Sequence, residues 1–336
     1  MEHLLWSRRD RHALLLGFLL TLALLLAPLI FLNGPDKPDS AQPGLPLHQA
    51  EPSPLQDRNR TVKVLKPDGS VSTLTMADYL VGVVAAEMPA SFQPEALKAQ
   101  ACAARTYTVL LQSKGGRHPG ADICTDSTCC QAYITPEQAK ANWGEHAAEY
   151  EEKIRSAVSE TDGLGILYGG QPIQALFFSS APGQTVDAVE VWGNAVDYLK
   201  CVKSPEGAEV PNYHTQVTLS PSKVQELTLA SYPGCDLSGD PSLWFGTPQY
   251  SESGTVSRQE LGGVPLTGGQ LRKLFSLRSA AFSVTFDGEN FQFHVTGHGH
   301  GVGMSQYGAN AMAGDGAGFR EILQWYYSGV EIAPLW

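Results

Sequence analysis

Glu87 is the residue whose setting promises chemistry. The stretch Leu80-Val81-Gly82-Val83-Val84-Ala85-Ala86-Glu87-Met88-Pro89 reads as the end of a short helix, because Pro89 disfavours helical geometry at Met88. Helical spacing puts Leu80, Val83, Val84 and Glu87 on one face. Partial burial and the negative end of the helix dipole both favour the protonated carboxyl. A carboxylic acid still protonated near neutral pH can serve as a general acid. Asp78, nine residues earlier, is half a turn out of phase and a poor second carboxylate.

Two further stretches offer functional groups. Gly297-His298-Gly299-His300-Gly301-Val302-Gly303-Met304-Ser305-Gln306-Tyr307-Gly308 allows tight turns and close backbone approach. Its His300, Ser305, Gln306 and Tyr307 suit a hydroxyl-rich ligand. No Gly-Lys-Ser/Thr ending follows, so a phosphate loop is a poor match. His118, Cys124 and Cys130 are spaced six and six, with Cys129 beside Cys130. Thiolates with imidazole suit Zn²⁺; a disulfide is the competing reading for a domain outside the cytoplasm. Cys102, in an alanine-rich helix, is expected to be a buried thiol. Cys201 and Cys235 are left open as a pair.

The elements that must position these groups follow from local signals. Thr61 to Lys66 and Val71 to Thr75 flank Pro67-Asp68-Gly69-Ser70, a hairpin signal. Thr75 caps the helix that carries Glu87. A second helix opens with Pro94 and runs to about Ser113, stopped by Gly115 and Gly116. Lys98 and Arg105, seven apart, share a face of it; both are candidates to bind substrate or to poise Glu87. A helix over about 145–161, strands over 164–168 and 173–179, a helix over 266–277 and a hairpin of 282–286 with 291–296 follow. A glycine-rich loop and two short helices finish the chain. The span 203–254, rich in Ser, Pro and Gly, yields no clear elements. Helices and hairpins in mixed order favour an α+β fold over a doubly wound sheet.

The N-terminus sets the compartment. Residues 13–32 form a run, apolar except for Gly17, Thr21 and Pro28, long enough to span a bilayer. Arg8, Arg9 and Arg11 precede it, placing residues 1–12 in the cytoplasm. Residues 33–60, with repeated prolines, read as a linker, and residues 61–336 as the extracytoplasmic domain. A net charge of -11 argues against a nucleic-acid partner.

Taken together, Tyr79 to Pro89, Glu95 to Ala101, Ala104-Arg105-Thr106-Tyr107, Phe177-Phe178-Ser179-Ser180, Gly183-Gln184-Thr185, Trp192, Tyr198-Leu199-Lys200, His300 to Ala309 and Tyr326-Tyr327 closely resemble the stage II sporulation protein D family. The departures are His298, where the family often has an aromatic residue, and Cys102, where a small aliphatic one is usual. The resemblance implies a grooved α+β domain on a single-pass anchor in the mother-cell membrane, facing the septum. It implies a lytic transglycosylase that cuts peptide-stripped peptidoglycan strands during forespore engulfment, with Glu87 as acid/base. Its partners would be an amidase and the membrane scaffold of the engulfment machinery. Zinc on His118, Cys124 and Cys130 is also implied, with Cys129 or water as fourth ligand and a structural role. Tyr198 is a candidate for stacking on a sugar ring, and equally for the core. A zinc-dependent amidase and a non-catalytic glycan-binding scaffold are the rival classes.

Overall fold

A computed structural model describes residues 56–336 of the chain. Strands β1 (Thr61–Leu65) and β2 (Val71–Thr75) pair antiparallel across the expected turn, where the Asp68 carboxylate accepts from the Ser70 amide at 2.9 Å. Helix α1 (Met76–Glu87) begins where the Thr75 side chain accepts from the Asp78 amide. It ends as Met88 turns extended ahead of Pro89, as steric exclusion before proline requires. Helix α2 (Pro94–Ser113) starts on its proline. Ala96, Ala99, Ala101, Ala103 and Ala104 are all buried; such small side chains let neighbouring elements pack against several faces of one helix. Strand β3 (Ile123–Cys124) runs parallel to β1. There follow α3 (Pro136–Trp143), α4 (Ala147–Glu160), β4 (Leu164–Tyr168), β5 (Gln171–Pro172), β6 (Phe177–Phe178) and α5 (Ala188–Trp192).

The span that the sequence left blank builds much of a second hydrophobic core. It contributes β7 (His214–Leu219), α6 (Pro221–Ser231) and β8 (Gln249–Tyr250). Strands β9 (Val256–Leu261) and β10 (Val264–Leu266), helix α7 (Gly268–Leu274), and the hairpin β11 (Phe282–Phe286) with β12 (Phe291–Thr296) complete it. Strand β7 joins the hairpin through β12. Val224, Trp244, Leu271, Phe275, Phe291 and Phe293 pack inside, each large side chain contributing about 1.5–3 kcal/mol of burial. Helix α7 is shorter than expected, because Ser276 takes a left-handed φ of 53°. The expected strand over 173–179 shrinks to β6, which pairs in parallel with β13 (Met304–Ser305).

Helices α8 (Gln306–Gly314) and α9 (Phe319–Tyr326) return to the first core, built on Leu80, Val83, Leu97, Ile166, Ile322 and Tyr326. A last strand, β14 (Glu331–Pro334), pairs antiparallel with β4; alternation over so short a run gave no signal. Among the described residues no helix is long and apolar enough to cross a membrane; the expected anchor over 13–32 lies outside them. The expected linker ends too late. Residues 57–59 form a 3₁₀ turn on the domain. The Gln56 and Asp57 amides donate to Asp162 at 2.7 and 2.8 Å, and the Leu335 amide donates to Gly163 O at 3.0 Å.

Candidate active site

Glu87 is half-buried on the last turn of α1, on the face whose Leu80, Val83 and Val84 are fully buried. Burial pushes its carboxyl up from the ordinary value, against two hydrogen bonds that pull it down, from the Ala132 amide and the Gln306 side chain. Glu87 Oε1 accepts from the Ala132 amide at 2.6 Å. None of the groups that shift Glu87 is a cation. Gly82 makes the Ala132 contact possible: a Cβ there would strike the Tyr133 ring and lie 2.7 Å from Ile134 O. Without one, the segment after Cys130 lies directly on α1, and Ile134 N donates to Gly82 O at 3.3 Å.

The glycine-rich stretch delivers Gln306 to the site. Gly303, at φ 81°, has the Leu176 carbonyl oxygen where a Cβ would stand, so β13 can start beside β6. Gln306 is buried and its Nε2 donates to Gln100 Oε1 at 3.4 Å. It was expected to meet substrate; here its side chain also hydrogen-bonds the Glu87 carboxyl. Ser305 is a correction: fully buried, it caps α8 and donates to the Glu206 carboxylate, with no hydroxyl left for a ligand. Glu206 itself escaped sequence reading. It is buried and also accepts from the Ala181 amide at 2.6 Å and Ser204 Oγ at 2.5 Å. A lone Glu in a Ser/Pro-rich span carries no periodic signal.

Lys98 and Arg105 are corrected as well. Lys98 Nζ lies 2.6 Å from both Glu95 and Glu160; burial would lower it, but these two carboxylates raise it. Arg105 is 0 % exposed. Its Nε lies 3.0 Å from each Asp57 oxygen, its Nη2 2.7 Å from Oδ2, and its Nη1 donates to Leu164 O at 2.9 Å. Burial still pushes Asp57 up, with Arg105 pulling against it. Neither cation touches Glu87, and Arg105 is shut away from any sugar. Tyr198 is half-buried beside Tyr168, ring centroids 5.5 Å apart, and its hydroxyl accepts from the Gln174 amide at 3.1 Å. His300 Nδ1 accepts from the Val302 amide at 3.1 Å. Burial first and Arg272 next lower its pKa to about 4, so it is neutral at physiological pH.

His118, Cys124, Cys129 and Cys130 converge, their donor atoms all within 4.8 Å of one another. His118 Nε2 is 3.7 Å from both Cys129 Sγ and Cys130 Sγ, which are 3.8 Å apart. A disulfide would need about 2.05 Å; every cysteine among the described residues is free, including Cys201 and Cys235. The separations match edges of about 3.6–3.8 Å in a tetrahedron with metal–sulfur bonds of about 2.3 Å. Burial first, with the Cys124 and Cys129 thiols adding to it, pushes Cys130 up to about 12. Such a set asks for a cation before all its thiols ionise. Cys102 is fully buried, as expected.

The chain is thus an α+β protein with a half-buried carboxyl held by a segment that leaves a four-donor thiol–imidazole cluster. Its relatives agree on one family. Residues 68–168 match the family model described as stage II sporulation protein. The stage II sporulation protein D of Bacillus amyloliquefaciens is 38% identical over 287 residues, covering 84% of this chain and 81% of that protein. That of Bacillus subtilis (strain 168) is 36% identical over 266 residues, 79% and 76% of the two chains. The chain belongs to the stage II sporulation protein D family. A protein named amidase enhancer, from Bacillus subtilis (strain 168), is 28% identical over 304 residues, 75% of this chain and 40% of its own length.

Proposed function

We propose that this chain is a lytic transglycosylase that cleaves the bond between N-acetylmuramic acid and N-acetylglucosamine in peptidoglycan strands, leaving 1,6-anhydro ends. The observation that carries this reading is Glu87: a carboxyl raised by burial, with no cation among the groups that shift it, and aligned by Ala132 and Gln306. Oε1 already accepts a short N–H bond, so the acidic proton rides on Oε2. Oε2 protonates the glycosidic oxygen as the bond breaks. The resulting carboxylate takes the proton of the muramoyl 6-hydroxyl, whose oxygen closes onto C1. No water enters, so the second carboxylate of an ordinary glycosidase is unnecessary. Glu206 is occupied by three donors and is not free to activate water.

Peptide-free strands are the proposed substrate, processed alongside an amidase during engulfment; the relative named amidase enhancer supports that association. The anchor over 13–32 would hold the domain at the outer membrane face. Zn²⁺ is proposed on His118, Cys124, Cys129 and Cys130. Four protein ligands fill a tetrahedral sphere and leave no position for an activated water, which favours a cross-linking role over a zinc amidase. The test is mass spectrometry of the products from peptide-free strands, with the wild type and Glu87→Gln, with and without chelator. Anhydromuramoyl ends that vanish in the variant are expected. Reducing ends, or cleavage undiminished in Glu87→Gln, would overturn the reading.

A further inference from the structure

Lys98 and Arg105 are consumed by the chain's own carboxylates, so a ligand carboxylate needs a different cation. Arg272, on α7, is half-buried, and its Nε donates to Arg278 O at 3.1 Å. No ion pair among the described residues includes it. Arg278 is close by: both guanidiniums, after burial, hold His298 below its ordinary value. Arg278 Nε is buried with no partner of its own. In a chain of net charge -11, two partly buried guanidiniums with no carboxylate in ion-pair range carry a desolvation cost that a bound anion would offset.

Arg272 and His300 line one cavity with Val186, Glu190 and Val191. Trp192, on the same helix as Glu190, is 47% exposed, its ring centroid 6.3 Å from that of His300. A guanidinium answers a carboxylate in a planar fork. Glu190 can accept hydrogen bonds from sugar hydroxyls, and an exposed indole offers an apolar face to a pyranose ring. That combination describes a sugar acid. We propose that Arg272, with Glu190 and Trp192, forms a subsite for the lactyl carboxylate of an N-acetylmuramoyl residue. The inference rests on the peptidoglycan reading and names the group by which a peptide-free strand is recognised, since the lactyl carboxylate is free only when no peptide is attached.

The test uses the full chain carrying Glu87→Gln, so that strands are bound without being cut. Calorimetry compares a peptide-free muramoyl tetrasaccharide, the same sugar with its carboxyls amidated, and chitotetraose. The free carboxylate is expected to bind about tenfold tighter than its amide, a margin in the range of one charge-assisted hydrogen bond. Arg272→Gln should erase that margin and leave chitotetraose binding unchanged. Arg272→Lys, which keeps the charge and loses the fork, should retain part of the margin, and it carries the test if Arg272→Gln does not fold. Trp192→Ala should weaken all three ligands together. A margin that persists in Arg272→Gln, or three equal affinities in the parent protein, overturns the subsite and leaves the glycan reading standing. No binding of any of the three overturns both.

Discussion

Replacing Arg105 with methionine should unfold the domain before it troubles catalysis. The substitution removes the Nε and Nη2 contacts to Asp57, at 3.0, 3.0 and 2.7 Å, and the bond to Leu164 O at 2.9 Å. Asp57 stays buried without its counter-charge, and breaking one side of such a pair costs about 3–5 kcal/mol. At about 2 °C per kcal/mol for a domain of this size, Tm should fall by about 6–10 °C. Asp57→Leu combined with Arg105→Met removes both charges, and should recover about 1.5–3 kcal/mol of the loss as coupling between neighbours. Urea unfolding of the four proteins of this cycle measures it. Well below each variant's midpoint, strand binding should be that of the wild type. An Arg105→Met protein with wild-type stability and no affinity for glycan would refute the structural assignment and return Arg105 to the substrate.

Glu87→Gln should abolish turnover, by about 10²–10⁴-fold for a lost general acid, and should stabilise the fold near neutral pH. The folded carboxyl titrates above 4.5, so between that value and its raised pKa the native state holds more protons than the unfolded one. Wild-type stability therefore falls relative to the variant as pH rises through this window; a pH-independent stability difference would count against it, and activity should fall on the same alkaline limb. Cys129→Ser should lower zinc affinity by at least about tenfold, as read by a chromophoric chelator, if Cys129 closes the coordination sphere; an unchanged affinity would give the fourth position to water. Gly82→Ala should cost about 1–3 kcal/mol of overpacking against Tyr133 and Ile134. It should also lower kcat by displacing the Ala132 amide from Glu87; a variant with normal kcat would show that this bond is dispensable.

What the sequence disclosed was whatever local geometry dictates. Thr75, Pro89 and Pro94 fix the ends of α1 and α2, and the turn at 287–288 sits between strands with the expected bounds. Glu87 stood out because one polar residue interrupts an apolar face. The partners of charged groups were not: Lys98 and Arg105 look like an open cationic face until distant Glu160 and Asp57 arrive. Glu206 and Arg272 were invisible for the same reason, since their meaning lies in which residues approach, or fail to approach, across the fold. The family resemblance pointed to His118, Cys124 and Cys130 with Cys129 or water beside them, and the fold brings the donor atoms of all four side chains within 4.8 Å of one another.

The turn at Asp162 and Gly163 has a mechanical consequence. Gln56 and Asp57 fasten to Asp162, and Leu335 fastens to Gly163, so the entering segment and the closing strand share one mooring. If the preceding residues tie the domain to a membrane, a pull along them arrives at the Asp162 carboxylate, where two amide bonds resist it in parallel. The tension passes into the turn between α4 and β4, and also into Arg60, whose carbonyl accepts from the Met76 amide at 2.8 Å at the start of the Glu87 helix. A pull on the entering segment is therefore shared between the Asp162 turn and the β1–β2 hairpin, and Glu87 stands at the far end of the helix from the point where that load arrives.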